Sequence, residues 1–384
     1  MRSPQRSFSF VVSTSRAAFA TLAVSVAASA QATLLVGPNQ AYATITSAVA
    51  ASAPGDTVMV LGGTYAEDIV VDHGIQLVGR GAVLTATSDL LVHPMVRIHD
   101  LPAGQSFVML GFEVQPVVVD LMPTRRTLAI EDCLGTVAVA NLTTGYYYAR
   151  WNVEVTRSPQ VHLRASRLGN ADLTGSEVMF EDCVVGSTAL SLGAIRATDS
   201  RTTIVGGSIG DTDSHLPSPA VVASAGELRV TRAVLRGAVA FGMSGPAIQA
   251  TNAALHLDPS TMLQVSGSTA PIAGSHTLDA TELVSTIAAY GGSSLQLRSH
   301  GPAGDLFAIV VGPPAAPTIT TFGLAWLDPA AIALLSVANF GVDRAHTLQL
   351  GMPPLPPGLT AAFALVHFGA GGPALGEPSM LSVP

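Results

Sequence analysis

The strongest constraint on this chain is a six-residue pattern that returns at a spacing of 25 residues. A larger residue stands at its first and third positions, and Cys, Ser or Ala stands at its sixth position in each copy. Copies begin at Leu128, Val153, Val178, Thr203, Leu228 and, after 27 residues, Leu255. A related segment at Val161 falls between two copies, and it is either the next side of the same coil or a short coil of its own.

This pattern predicts a parallel β-helix. Alternation of large residues places both side chains on one face of a short strand, and the small residue indicates a bend after about four residues. One coil cannot bury its own apolar side, but stacked coils form a continuous core. No helical period runs through the repeats. With only 11% charged residues the chain also lacks the composition of a coiled coil, and with 48% hydrophobic residues it is not expected to be disordered.

The first coils carry a second set of signals. Thr44 is a candidate N-cap for a short helix that would end before Pro54 and cover the open end of the stack. Strand-like runs and glycine-containing turns follow it, including the segment Gly63-Thr64-Tyr65-Ala66-Glu67. This opening resembles that of secreted right-handed β-helix proteins of the pectin-lyase-like superfamily.

The resemblance implies an all-β fold: a right-handed single-stranded parallel β-helix with an N-terminal capping helix, over residues 33–300. The superfamily contains pectate lyases, pectinesterases, polygalacturonases and proteins without an assigned activity. The polygalacturonase motifs are missing from this chain, and His162 stands where the pectate-lyase pattern has arginine. The pectinesterase resemblance stops after Glu67. The resemblance therefore implies a fold without a specific enzyme.

Both ends of the chain differ from the repeats. Residues 1–32 have three arginines before a short apolar stretch and an Ala-x-Ala cleavage pattern, which predicts a secretory signal peptide. Residues 301–384 contain short apolar runs broken by Gly and Pro clusters, which predicts a small β-sandwich-like module. No later segment is long and apolar enough to span a bilayer, so we expect a secreted or cell-surface bacterial protein.

The two cysteines, Cys133 and Cys183, stand at the sixth position of two copies separated by two repeats. Coils stack at about 4.8 Å, so the two Cα atoms are expected about 10 Å apart in one ladder. A disulfide requires about 7 Å or less. The sequence therefore predicts two free, buried thiols without a metal-binding role.

Outward-facing carboxylates are the candidate catalytic groups. Glu131, Glu154 and Glu181 fall at outward positions of three copies, and His162 and Arg164 of the intermediate segment could lie beside them. Glu131 and Glu154 would be about 8 Å apart, a separation that suits an acid and a base on either side of a sugar bond. The alternative is that these residues form ordinary solvated surface, which a β-helix needs for solubility.

Two further segments are candidate ligand sites. The aromatic residues Tyr146, Tyr147, Tyr148 and Trp151 would form a platform for sugar rings if exposed, or would pack in a loop between coils. Asp211 and Asp213 could bind Ca²⁺ through carboxylate oxygens, although turn chemistry explains the same residues. No other cofactor is expected.

These features favour a non-catalytic extracellular or cell-surface protein that associates with polysaccharide or another envelope glycan. An active polysaccharide lyase, pectinesterase or glycoside hydrolase is the first alternative, and a structural envelope component is the second. The net charge of −8, with all 18 basic residues being arginine and no basic run, excludes nucleic-acid binding by charge. A monomer is expected.

Overall fold

The structure is a computed structural model. It describes residues 31–85, 94–115, 127–144, 153–186, 193–210, 216–279, 284–291, 293–320, 323–327, 329–355, 359–369, 372–376 and 378–383. The predicted signal peptide (apart from its last two residues), the aromatic cluster Tyr146, Tyr147, Tyr148 and Trp151, and the candidate Ca²⁺ ligands Asp211 and Asp213 lie outside the described residues.

The first part of the described chain is a solenoid, residues 31–279, built of short strands and one helix. In chain order it contains β1 (Thr33–Val36), α1 (Ile45–Ala51), β2 (Thr57–Val60), β3 (Gly63–Ala66), β4 (Ile69–Val71), β5 (Gln76–Thr85), β6 (Val96–His99), β7 (Ser106–Gln115), β8 (Leu128–Glu131), β9 (Thr136–Ala140), β10 (Thr143–Thr144), β11 (Val153–Thr156), β12 (Val161–Arg164), β13 (Arg167–Leu168), β14 (Ala171–Thr174), β15 (Glu177–Glu181), β16 (Val184–Val185), β17 (Ile195–Val205), β18 (Ser208–Ile209), β19 (Val221–Thr231), β20 (Val234–Arg236), β21 (Val239–Ala240), β22 (Met243–Ser244), β23 (Ile248–Leu257), β24 (Met262–Gln264) and β25 (Ile272–Asp279).

Apart from the antiparallel hairpin of β21 and β22, the strands of the solenoid pair in parallel and form three faces around one core. Face A consists of β4, β6, β8, β11, β14 and the first halves of β17, β19, β23 and β25. Face B consists of β1, β2, β9, β12, β15, the first halves of β5 and β7, and the second halves of β17, β19, β23 and β25. Face C consists of β3, β10, β13, β16, β18, β20, β24 and the second halves of β5 and β7. The chain is a parallel β-helix, as its repeats predict.

The register differs from the expected single ladder. Val153 lies beside Leu128 on face A, as expected, but the next strand on that face begins at Ala171. Val178 lies on face B beside Val161, which is therefore the second side of the coil that starts at Val153. On both faces, large inward residues alternate with outward residues along each strand. The sequence pattern therefore does not distinguish one face from another.

The bends between faces A and B share one backbone conformation. The residue after each four-residue strand on face A has a positive φ, and these residues are Asp100, Asp132, Arg157, Gly175, Asp199, Ala225 and Asn252. A second series follows the strands on face B: Asn141, Ala165, Asp182, Gly206 and Arg232. A left-handed residue turns the chain sharply without a loop, and this explains the bend that the sixth position of the repeat indicates.

Small residues inside the bend form hydrogen-bonded ladders. The N–H of Cys133 donates to Ser158 Oγ at 3.2 Å, that of Ser158 to Ser176 Oγ at 3.1 Å, and that of Ser176 to Ser200 Oγ at 3.2 Å. Cys183 instead lies at the bend between faces B and C. Both cysteines are free and buried, as expected, but the expectation that they share one ladder is wrong because β8 and β15 lie on different faces.

The N-terminal end of the solenoid is capped by α1. Ile45, Ala48 and Val49 are buried, and Thr44 accepts a hydrogen bond from the N–H of Ser47 as the N-cap. The carboxylate of Glu67 accepts the N–H groups of Ile45 and Thr46, both at 2.8 Å. The segment from Gly63 to Glu67 thus holds the capping helix on the first coil.

The remaining strands form an antiparallel C-terminal module, residues 284–383. Its elements are β26 (Ser285–Gly291), β27 (Ser294–His300), β28 (Leu306–Gly312), β29 (Pro314–Thr320), β30 (Gly323–Leu327), a 3-10 helix (Pro329–Ala331), β31 (Ala333–Asn339), β32 (Ala345–Gly351), β33 (Thr360–Gly369), β34 (Gly372–Leu375) and β35 (Ser379–Ser382). A β26-β27-β32 sheet and a sheet around β28 and β33 share one core, as in a sandwich. The antiparallel strands begin at Ser285, before the boundary expected at residue 300.

The module lies against the outer side of face B. The outward residues Val78, Val108, Leu110 and Ala138 of that face are buried and form their own apolar cluster. Further along the same face, Glu181 forms a hydrogen bond with Ser379 of β35. Face B is therefore covered from β5 to β15, whereas face A carries a polar outer surface.

Candidate functional site

Three of the five candidate catalytic residues meet on face B. His162 and Arg164 point outward from β12, and Glu181 points outward from the neighbouring β15. The Nε2 atom of His162 lies 2.9 Å from Glu181 Oε2, and the Nε atom of Arg164 lies 3.5 Å from Glu181 Oε1. We call His162, Arg164, Glu181 and Ser379 the interface cluster.

The fourth member comes from the C-terminal module. Ser379 Oγ donates a hydrogen bond of 2.7 Å to Glu181 Oε1, and it accepts the N–H of Ala288 at 3.0 Å. Ser379 and Glu181 are separated by 198 residues in sequence, so no local pattern could have indicated the contact. Sequence reasoning missed Ser379 for this reason.

The interface cluster is almost inaccessible to solvent. The side chain of Glu181 has no exposed surface (0%), that of His162 is 2% exposed and that of Arg164 is 17% exposed. Burial acts to raise the pKa of Glu181, but Arg164, His162 and Ser379 outweigh it, and the pKa lies below its ordinary value. The side chain of Glu181 is thus engaged by its partners and has no surface that a substrate could reach.

More charges surround the cluster. Burial, followed by the charge of Glu181, raises the pKa of Asp182. Burial also lowers the pKa of Arg232, although Asp182 and Glu181 oppose this effect. Arg298 of β27 acts electrostatically on both residues from the module. The surface between the solenoid and the module therefore contains several charged side chains as well as apolar ones.

A cleft of about 200 Å³ opens between the two parts of the chain beside the cluster. Asn141, His162, Arg164 and Tyr290 form part of its wall, and Leu110 and Leu381 form apolar parts. The hydroxyl of Tyr290 accepts the N–H of Leu355 at 2.9 Å. The cleft is a consequence of the docked module, since both parts contribute to its wall.

The other two candidates lie on face A. Glu154 is beside Ala129, and Glu131 is beside Thr156, so the two carboxylates are diagonal neighbours as expected. Glu131 accepts two hydrogen bonds from Arg97, of 2.7 and 3.0 Å. The expectation that Glu181 continues this row is wrong, because β15 belongs to face B.

Face A carries a regular polar surface beyond these residues. The fourth residue of successive strands is a hydroxyl residue in direct register: Thr156, Thr174, Thr198, Ser224, Thr251 and Ser275. The row beside it contains Glu154, Asp172, Arg196 and Gln249, with Arg196 Nη2 paired to Asp172 Oδ2 at 2.5 Å. At about 4.8 Å per coil, the hydroxyl row is about 24 Å long.

Metal binding finds no support in the described part of the chain, where no group of three His, Cys, Asp or Glu residues could hold an ion. The candidate ligands Asp211 and Asp213 lie outside it, so Ca²⁺ binding there stays a prediction. No helix among the described residues is long and apolar enough to cross a membrane.

Comparison with known proteins gives a fold-level likeness. No family model matches the chain, and no curated protein matches it. Among solved structures, the pectin methylesterase from Aspergillus niger in deglycosylated form matches with 14% identity and a TM-score of 0.25, over 67% of this chain and 87% of that chain. A second structure of that enzyme, in a penultimately deglycosylated form, matches with 13% identity and a TM-score of 0.24 over the same shares. The fold assignment rests on the strand pairing described above.

Proposed function

We propose that this chain is a secreted, non-catalytic β-helix protein that binds polysaccharide along face A. The observation that carries the proposal is the in-register hydroxyl row from Thr156 to Ser275 on the polar outer surface of the solenoid. An extended glycan presents hydroxyl groups at regular intervals, and a regular row of hydroxyls and charged groups can form many individually weak hydrogen bonds with it.

The burial of the interface cluster supports a non-catalytic role. A general acid or base has to come within hydrogen-bond reach of the substrate, and Glu181 and His162 are enclosed by the module. On face A, Glu131 is engaged by Arg97, and Asp172 by Arg196. A carboxylate engaged by an arginine has to give up these hydrogen bonds before it can take a proton from a substrate.

A binding screen on soluble and insoluble polyuronates and neutral glycans tests the proposal. Combined substitution of Thr156→Val, Thr174→Val and Thr198→Val should weaken binding about tenfold or more, since each lost hydrogen bond contributes about 0.5–1.5 kcal/mol. The matched control is Thr64→Val with Thr143→Val, two exposed threonines on face C, which should bind as wild type.

Two further variants distinguish the alternatives. Tyr147→Ala tests the aromatic platform, and its binding should fall only if that cluster contributes to glycan recognition. Product release from any polymer by the wild type, lost in Glu154→Gln, would establish the enzymatic alternative and contradict the non-catalytic role. Absence of binding to every glycan would leave the structural envelope role.

A further inference from the structure

The last coil of the solenoid leaves its core-facing residues uncovered. One inward residue on each face stacks on an inward residue of the coil before it: Leu278 on Leu255, Leu263 on Leu235 and Ile272 on Ile248. The three residues of the earlier coil are fully buried at 0% exposure. Leu278 is 53% exposed, and Leu263 and Ile272 are only partly buried. Among the described residues, the apolar core therefore reaches the C-terminal end of the stack without a covering element.

The backbone of this coil is open as well. Among the described strands, β25 pairs with β23 alone, and its residues Gly274 to Asp279 are all exposed. Edge strands are commonly protected by Lys, Pro or a covering element, and Ile272–Asp279 contains neither Lys, Arg nor Pro. The opposite end of the solenoid is covered by α1, whose Ile45 is fully buried. Among the described residues, the N-terminal end of the solenoid is thus covered by a helix, and the C-terminal end is not.

We propose that this open end is the interface of a two-fold symmetric dimer of the chain. Strand β25 crosses the bend between faces A and B at its midpoint, with Ile272–Ser275 on face A and His276–Asp279 on face B. A two-fold axis through this bend lays each half of β25 antiparallel to the other half in the second copy. The same axis places β24 of face C against its own copy.

The second copy fits the requirements of this surface. A strand edge is complementary to itself in antiparallel orientation, and a two-fold interface uses the same patch on both subunits. In the symmetric register that pairs inward with inward residues, Leu278 faces Ile272 of the partner subunit and His276 faces Gly274 of the partner subunit, so no like charges meet. The exposed Leu278 gains an apolar partner surface. Each module lies on face B of its own solenoid. Because the axis aligns face B of one subunit with face A of the other, the two modules lie on different sides of the dimer.

Light scattering after size exclusion, at several protein concentrations, measures the predicted association in the full mature chain. The wild type should be a dimer, and Leu278→Lys should be a monomer because each subunit would bury an unpaired ammonium group against its partner. Leu134→Lys is the matched control: Leu134 is 59% exposed and follows the face A strand β8, far from the open end, so this variant should remain a dimer.

Cysteine cross-linking tests the geometry independently of the lysine variant. Two copies of Ser275→Cys should form an interchain disulfide on oxidation, since Ser275 faces its own copy across the axis with the two Cα atoms about 5 Å apart. Ser224→Cys occupies the equivalent position two coils earlier and should stay uncross-linked. A wild type that is monomeric at every concentration, a chain that forms open-ended polymers, or equal cross-linking of both variants would overturn the proposal. A dimer would depart from the monomer expected from the sequence.

Discussion

At the scale of single residues, the charges between solenoid and module are the least expected feature. A buried carboxylate is costly unless every partner is in place, and Glu181 has a histidine, an arginine and a serine around it. An apolar contact would hold the two surfaces with less desolvation. The cluster therefore fixes where the module docks, because any other placement would leave Glu181 without Ser379.

Substituting Ser379→Ala should lower the free energy of unfolding by about 1–3 kcal/mol, since a buried charged acceptor loses a donor. Chemical denaturation followed by circular dichroism measures the change. Ser294→Ala, on the partly exposed strand β27, should be close to neutral. Equal stability of the two variants would mean that the Ser379 contact does not hold the module.

The two thiols should be inert in the folded protein. Burial raises the pKa of both, and that of Cys183 reaches about 12, so neither forms the reactive thiolate near neutral pH. A thiol reagent should modify neither residue under native conditions and both after denaturation. Rapid reaction of one thiol in the folded state, or fewer than two in denaturant, would contradict the structure.

At the scale of elements, a left-handed residue after the face A strand sets the bend of each coil from β6 to β23. Ala225 adopts φ of 57°, a conformation that glycine reaches without steric cost. Ala225→Gly should therefore raise the free energy of unfolding by up to about 1 kcal/mol. Ala223→Gly, two residues earlier on the inward side of the same strand, should lower it. Thermal unfolding of the pair checks the prediction.

The repeat predicted the strands and their bends but not their assignment to faces. Alternation of inward and outward residues is the same in β11, β12 and β15, and the coil from Val153 is shorter than 25 residues because Ala171 follows it on face A. The pattern therefore placed Glu131 and Glu154 correctly relative to each other, since both belong to face A. It placed Glu181 on the wrong side, and no local signal revealed its contact with Ser379.

At the scale of the whole molecule, the interface cluster should couple the unfolding of solenoid and module. Calorimetry of the wild type should show one transition at neutral pH, and Glu181→Gln should separate it into two, because Arg164 and Arg232 lose a compensating charge. Glu131→Gln, which breaks an ion pair on face A, should keep a single transition. Two transitions in the wild type would contradict the coupling.

Acid should weaken the docked state in a defined direction. The pKa of Glu181 lies below its ordinary value, so its contribution is complete above the unfolded pKa of about 4.3 and is lost as the pH falls through the lower folded value. Asp182 acts in the opposite sense, because its raised pKa favours the protonated form in the folded protein. In the Glu181→Gln variant, the free energy of unfolding should therefore fall less steeply as the pH is lowered below about 4.3.

The contact between Glu181 and Ser379 also bears on the order in which the chain can fold. The coils around Glu181 can stack as soon as they are synthesised, because their contacts are with neighbouring coils. The charge on Glu181 receives its serine donor only after a further 198 residues have been made. A chain that is cut short before Ser379 would thus carry a finished solenoid with an unfinished face B, and that exposed surface would distinguish incomplete molecules from complete ones.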